Sequence, residues 1–171
     1  MELGPSMAAR ATIQRRESQE AGAAVIADSQ AGRDLNKKRY SLVLLIRHPT
    51  VDPAAITAKL NLRPFVSWKA GDPRRTPTGK PIPEPHSSSC WNYVFKYKSG
   101  VRFSQEAESI LRTLEPHKPL FQEIDKTGGT SELFLKLPGD VNIGDAFTWR
   151  LLQKFAGLRI GLSVETFPDM P

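Results

Sequence analysis

The sequence predicts an α+β fold in two layers, a mainly antiparallel sheet of about five strands with helices on one face, and three observations predict it. Short apolar or alternating runs lie between Gly- and Pro-rich breaks, as strands do. Longer stretches carry apolar residues at i, i+3, i+4 and i+7, which gives each helix one stripe to bury. A helix with a single stripe covers a sheet from one side, so the helices belong to one layer.

The chain has 171 residues, enough for one domain and a tail. Residues 1–39 are rich in Ala, Gly, Gln, Ser and Arg, with Val25, Ile26 and Leu35 scattered among them. That is too little apolar surface to bury, so the segment reads as a disordered tail ahead of a single domain at 40–171. Arg10, Arg15 and Arg16 invite a mitochondrial-type presequence, but Glu17, Glu20 and Asp28 argue against one, and Met7 is a candidate for the true start.

Tyr40 to Arg47 contains Leu42, Val43, Leu44, Leu45 and Ile46, apolar on both faces and short, as a central strand is. His48-Pro49 ends it. Asp52 is placed to cap a helix with Pro53 at its first position, Val51 to staple onto Ile56, and Leu60 to share that face. Pro64 closes this segment, and Phe65 to Lys69 reads as a short strand running into a turn at Gly71-Asp72.

The following loop holds Pro73, Pro77, Pro81, Pro83 and Pro85, a composition that excludes helix interior and central strand. Cys90 to Lys98 then alternates, with Trp91, Tyr93, Phe95 and Tyr97 on one side and Asn92, Lys96 and Lys98 on the other. Ser104 is the expected N-cap of the next helix, with Glu106 and Glu108 near its positive end and Ala107, Ile110, Leu111 and Leu114 as its stripe. Pro116 ends it, and Pro119 to Asp125 adds a short helical turn.

Thr130 to Leu137 reads as a half-exposed strand with Leu133, Leu135 and Leu137 on one face. A last helix is expected over Asp145 to Ala156, with Phe147, Leu151, Leu152 and Phe155 inward and Gly157 at C′. The final strand, Leu158 to Thr166, points Leu158, Ile160, Leu162 and Val164 inward. The first six elements have the βαββαβ order of a ferredoxin-like sandwich, extended by one helix and one strand.

The net charge of +6 suggests anionic partners, and its distribution is more informative than its size. Lys69, Arg74, Arg75 and Lys80 face only Asp72 within their stretch, so the folded part's excess positive charge is concentrated in the Pro-rich loop. Tryptophans at both ends, Trp68 and Trp91, are placed to anchor that loop on apolar surface.

His48-Pro49, Asp52-Pro53, Ile56-Thr57, Leu60-Asn61-Leu62-Arg63-Pro64, Trp68-Lys69-Ala70-Gly71-Asp72 and the isolated Trp91 together resemble the bacterial domain of unknown function 4279 family. The resemblance extends over about Tyr40 to Phe167, and Ala156-Gly157-Leu158 with Ile160, Leu162 and Val164 is similar to that family's last helix and strand. Phe167 departs from the pattern, standing where an acidic residue followed by tyrosine is more usual. The resemblance implies the fold and no assigned activity.

No phosphate loop, dinucleotide fingerprint, H-E-x-x-H helix or nucleophile elbow is present. His48, His86 and His117 are not spaced as metal ligands, and Cys90, the single cysteine, allows neither an internal disulfide nor a Cys-based zinc cage. No catalytic residue, cofactor or metal is therefore assigned, and a reducing cytoplasm is the expected location. No run of about 18 apolar residues is present to cross a membrane.

The reading that follows is a non-catalytic binding or interaction module. Trp68, Lys69, Asp72, Arg74, Arg75, Lys80 and Trp91 frame a basic site for an acidic protein or an anionic small ligand. One alternative is weak nucleic-acid binding through the aromatic strand 91–97. Others are a small enzyme pairing Asp72 with His86, or an immunity-type protein.

Overall fold

In the computed structural model the described residues are 40–76, 78–139 and 142–167. Residues 1–39, read above as a tail, lie outside them. The chain forms β1 (Ser41–His48), α1 (Pro53–Leu60), β2 (Val66–Trp68), β3 (Arg74–Arg75), β4 (Pro81–Ile82) and β5 (Ser89–Val94). Then follow α2 (Phe103–Leu114), a 3-10 turn (Glu115–His117), α3 (Lys118–Lys126), β6 (Thr130–Pro138), α4 (Trp149–Leu158) and β7 (Gly161–Phe167).

Five strands make one sheet in the order β2-β5-β1-β6-β7, and β3 and β4 make a separate two-stranded ladder. β1 is antiparallel to both β5 and β6, and β2 is antiparallel to β5. With the β3–β4 hairpin set aside, β1, β2, β5 and β6 have the strand order of a ferredoxin-like sandwich, as the element order predicts. β7 then joins β6 in parallel, which requires the crossover that α4 supplies.

One face of this sheet is the core. Leu42, Leu44 and Ile46 of β1, Trp91 of β5 and Leu133 and Leu135 of β6 share a buried cluster with Ile56, Leu60, Ile110, Leu111, Leu114, Phe121, Ile124, Leu151 and Phe155 of the helices. Each fully buried aliphatic side chain of this kind contributes about 1.5–3 kcal/mol. On the opposite face Leu45 lies between Asn92 and Glu132, and Arg47 lies between Cys90 and Thr130.

The local signals at α1 act as expected. Asp52 accepts the Ala54 N–H at 2.8 Å and Pro53 opens the helix. Asn61 closes it in the left-handed region, φ 52°, a conformation asparagine tolerates.

Two later helices are displaced from their sequence signals, for one shared reason. The N–H of Ser104 donates to Asp145 Oδ2 at 2.9 Å, so a remote carboxylate satisfies a free donor at the start of α2. Ser104 is therefore inside the helix and Arg102 is the cap position. Asp145, committed to α2, does not open α4, which starts at Trp149 with Thr148 Oγ1 accepting the Leu151 N–H at 3.2 Å.

At its other end α4 runs through Gly157 to bury Leu158, and Arg159 takes the left-handed cap, φ 58°. Leu152 and Val164, both expected inward, are 44% and 55% exposed. The buried stripe of α4 is Leu151, Phe155 and Leu158, and Val164 stands on an edge strand beyond the cover of the helices.

Candidate functional site

β2 and β5 are paired in a register that sets the site. Ser67 stands opposite Trp91 and Trp68 stands opposite Cys90, so the two tryptophans that bracket the loop lie on opposite faces of the sheet. Trp91 is on the helix face, fully buried, with its indole N–H donating to Thr57 Oγ1 at 3.0 Å. Trp68 is half-buried; its indole N–H donates to the Ser88 carbonyl at 3.1 Å and its ring stacks on His86 at 4.4 Å.

After Trp68 the chain reverses through Lys69-Ala70-Gly71-Asp72. Asp72 Oδ2 accepts the Lys69 N–H at 2.7 Å, the Asp72 N–H donates to the Lys69 carbonyl at 3.1 Å, and Gly71 supplies φ 89°. This turn is tied across to the returning chain ahead of β5 by Gly71 N–H to His86 O at 2.8 Å and His86 N–H to Asp72 O at 3.0 Å. Ala70 N–H also donates to Ser89 Oγ at 3.0 Å. The base of the loop is thus a continuation of the β2–β5 hairpin.

Beyond this base the Pro-rich segment forms the β3–β4 hairpin, with Arg74 opposite Ile82 and Arg75 opposite Pro81. Pro81 alone of the described loop prolines enters this ladder, which lies outside the main sheet, while Pro73, Pro83 and Pro85 stand outside any strand, as their missing donors favour. The tip is closed by Thr76 N–H to Lys80 O at 2.8 Å and Gly79 N–H to Thr76 O at 2.8 Å, with Gly79 at φ 84°. Arg74, Arg75 and Lys80 are all exposed, and among the described residues none of the three is in an ion pair with an acidic side chain. Arg75 instead donates to the Gly79 carbonyl at 3.2 Å.

A shallow concavity of about 480 Å³ lies between α1 and the β2 turn. Pro53, Ala54, Thr57 and Ala58 form the helix side, and Ser67, Trp68, Lys69 and Asp72 form the other. Asp52 joins Lys69 across its rim, with Nζ 3.3 Å from Oδ2. The Ala54 N–H, and after it Lys69, hold the Asp52 carboxyl below the usual carboxylate range.

The polar groups here are engaged with one another. Thr57 Oγ1 donates to Pro53 O while accepting from Trp91, and Asp72 is committed to its turn. Of the residues the sequence assigns to the site, Trp68, Lys69 and Asp72 line this concavity, Arg74, Arg75 and Lys80 belong to the hairpin above it, and Trp91 lies beneath in the core. Asp52, which sequence reasoning assigns only a capping role, is the addition; a contact spanning 17 residues leaves no local signal.

The other chemical candidates also find structural places. Asp72 and His86 meet through their backbones, the His86 ring being stacked on Trp68. Cys90 is buried, and that burial pushes its thiol pKa up. β5 ends at Val94, so Phe95 and Tyr97 lie beyond the strand expected to run through them; with Tyr93 they are half-buried and pack with Trp91 against the core. Among the described residues no group of three or more His, Cys, Asp or Glu side chains could hold a metal ion, and no helix is long and apolar enough to cross a membrane.

The family described as "Domain of unknown function (DUF4279)" matches residues 38–141, from the start of β1 to the end of β6, leaving α4 and β7 beyond the match. No curated protein and no solved structure matches the chain. With more than half of its length matched, the chain belongs to the domain of unknown function 4279 family.

Proposed function

We propose that this protein is a non-catalytic binding module in which the β3–β4 hairpin presents Arg74, Arg75 and Lys80 to an anionic surface, an acidic protein segment above all. One observation carries the reading. Three exposed cations project on a hairpin that has no acidic partner for them among the described residues, while its base is fixed by the Trp68–His86 stack and the Gly71–His86–Asp72 ladder. A rigid base lowers the ordering cost of binding, and two guanidinium groups suit carboxylates, which they can grip through paired hydrogen bonds. The adjoining concavity offers apolar surface at Ala54, Ala58 and Trp68 for a neighbouring side chain of the partner.

Retention on an anionic heparin matrix tests the reading. Arg74→Glu/Arg75→Glu is expected to elute at clearly lower salt than Arg112→Glu/Lys126→Glu, which changes the total charge equally on α2 and α3. Equal elution of the two variants would remove the hairpin as the anion-binding surface.

A further inference from the structure

The two edges of the sheet differ in a way that points to a partner. One edge is β2, only three residues long before the chain turns away, and short edge strands resist further pairing. The other is β7, seven residues from Gly161 to Phe167, in unbroken parallel register with β6 from Glu132–Gly161 to Pro138–Phe167. It contains no proline, no bulge and a single charged residue, Glu165. Proteins commonly protect an exposed edge with such features, because its outward N–H and C=O groups template another strand. Among the described residues no strand or helix pairs with this outer edge.

Apolar surface accompanies it on the helix side. Val164 shares the face of its partner Leu135, which is in the core, yet is itself 55% exposed. On α4, Lys154 reaches Glu108 of α2 at 2.5 Å, which marks the flank turned toward the other helices. At about 100° per residue, Leu152 falls on the opposite flank, the one above the free edge, and is 44% exposed.

We infer that the outer edge of β7 pairs antiparallel with β7 of a second copy of this chain, about a two-fold axis at Val164. The strand's own sequence favours a copy over another occupant. In that register Val164 meets Val164, Leu162 meets Thr166 and Glu165 meets Ser163, so the single charge never faces itself. Each copy completes the other's edge, the sheet runs continuously through both, and Leu152 and Val164 of each are brought to the joint.

Sedimentation equilibrium on the full chain is expected to show a reversible dimer. Val164→Lys places two ammonium groups opposite each other and is expected to weaken that dimer by about tenfold or more, with an unchanged circular dichroism spectrum. Oxidative cross-linking checks the register: Val164→Cys is expected to link copies, whereas Glu165→Cys, offset from its counterpart across the axis, is not; Cys90 is buried and silent. A wild-type chain that stays monomeric at every concentration, a dimer indifferent to Val164→Lys, or faster linking by Glu165→Cys than by Val164→Cys would each overturn the proposal.

Discussion

His48 packs so closely on Gly129 that a Cβ built on the glycine would lie 2.6 Å from the imidazole Cδ2, with Ile124 Cγ2 at 2.7 Å and the Arg47 carbonyl at 2.8 Å. The imidazole is a junction. Its Nδ1 accepts the N–H groups of Thr50 and Val51 at 3.0 and 2.9 Å, which fixes the approach to α1. Its Nε2 donates to Thr127 Oγ1 at 2.8 Å, and Thr127 in turn donates to the Glu123 carbonyl at 2.6 Å at the end of α3. One buried ring therefore joins the exits of β1 and α3.

Gly129→Ala is expected to destabilise the fold by about 1–3 kcal/mol, because neither the ring nor the Arg47 backbone can retreat without disturbing that junction. The midpoint of urea denaturation measures it. A midpoint equal to that of the wild type would show that the contact relaxes freely.

His48→Phe puts a somewhat larger ring in the same tight site and removes its acceptor, leaving two backbone N–H groups without a partner inside the fold. The expected loss is about 2–4 kcal/mol. Thr127→Val, which removes only the oxygen facing Nε2, is expected to cost less, and the two variants can be ranked on one set of denaturation curves.

Trp91→Ala opens a void in the helix face and removes the indole N–H that Thr57 Oγ1 accepts, for an expected loss of about 3–5 kcal/mol. Trp149 is 68% exposed, and Trp149→Ala is expected to change stability by no more than about 0.5 kcal/mol. Comparable losses in both would contradict the placement of Trp91.

Acid acts on the cap of α1. Asp52 has its folded-state pKa lowered from the ordinary value of 3.8, so its contribution is present above that value and is lost as pH falls through the lower folded value. Asp52→Ala is expected to melt below the wild type near neutral pH, with the gap closing on acidification below about pH 4. A gap that stays constant with pH would mean that the carboxylate's charge is irrelevant to the cap.

The thiol of Cys90 is expected to react slowly with a disulfide reagent in the native protein and completely in denaturant, since it is 3% exposed and its pKa is raised by burial. Rapid native-state labelling would place the β2–β5 pairing in frequent local opening.

Much of this structure was readable because its causes are local. The apolar run of β1, the Asp52-Pro53 start of α1, the stripe of α2 and the turn at Gly71-Asp72 each depend on neighbours within one turn or one strand, and each stands where the residues put it. The ferredoxin-like order followed from counting those elements. What the residues alone could not decide were matters of register and long-range contact. The pairing of Ser67 with Trp91 sent the two tryptophans to opposite faces, because a side chain's face is set by its partner across the ladder. Asp145 was drawn from the start of α4 to the start of α2, 41 residues away, by an unsatisfied N–H. Val164 alternates as an inward residue does, yet is exposed because the sheet ends there and the helices do not reach past it. Sequence determined which elements form, and tertiary structure decided which residues they share, because a hydrogen bond or apolar contact is indifferent to the number of residues between its two sides.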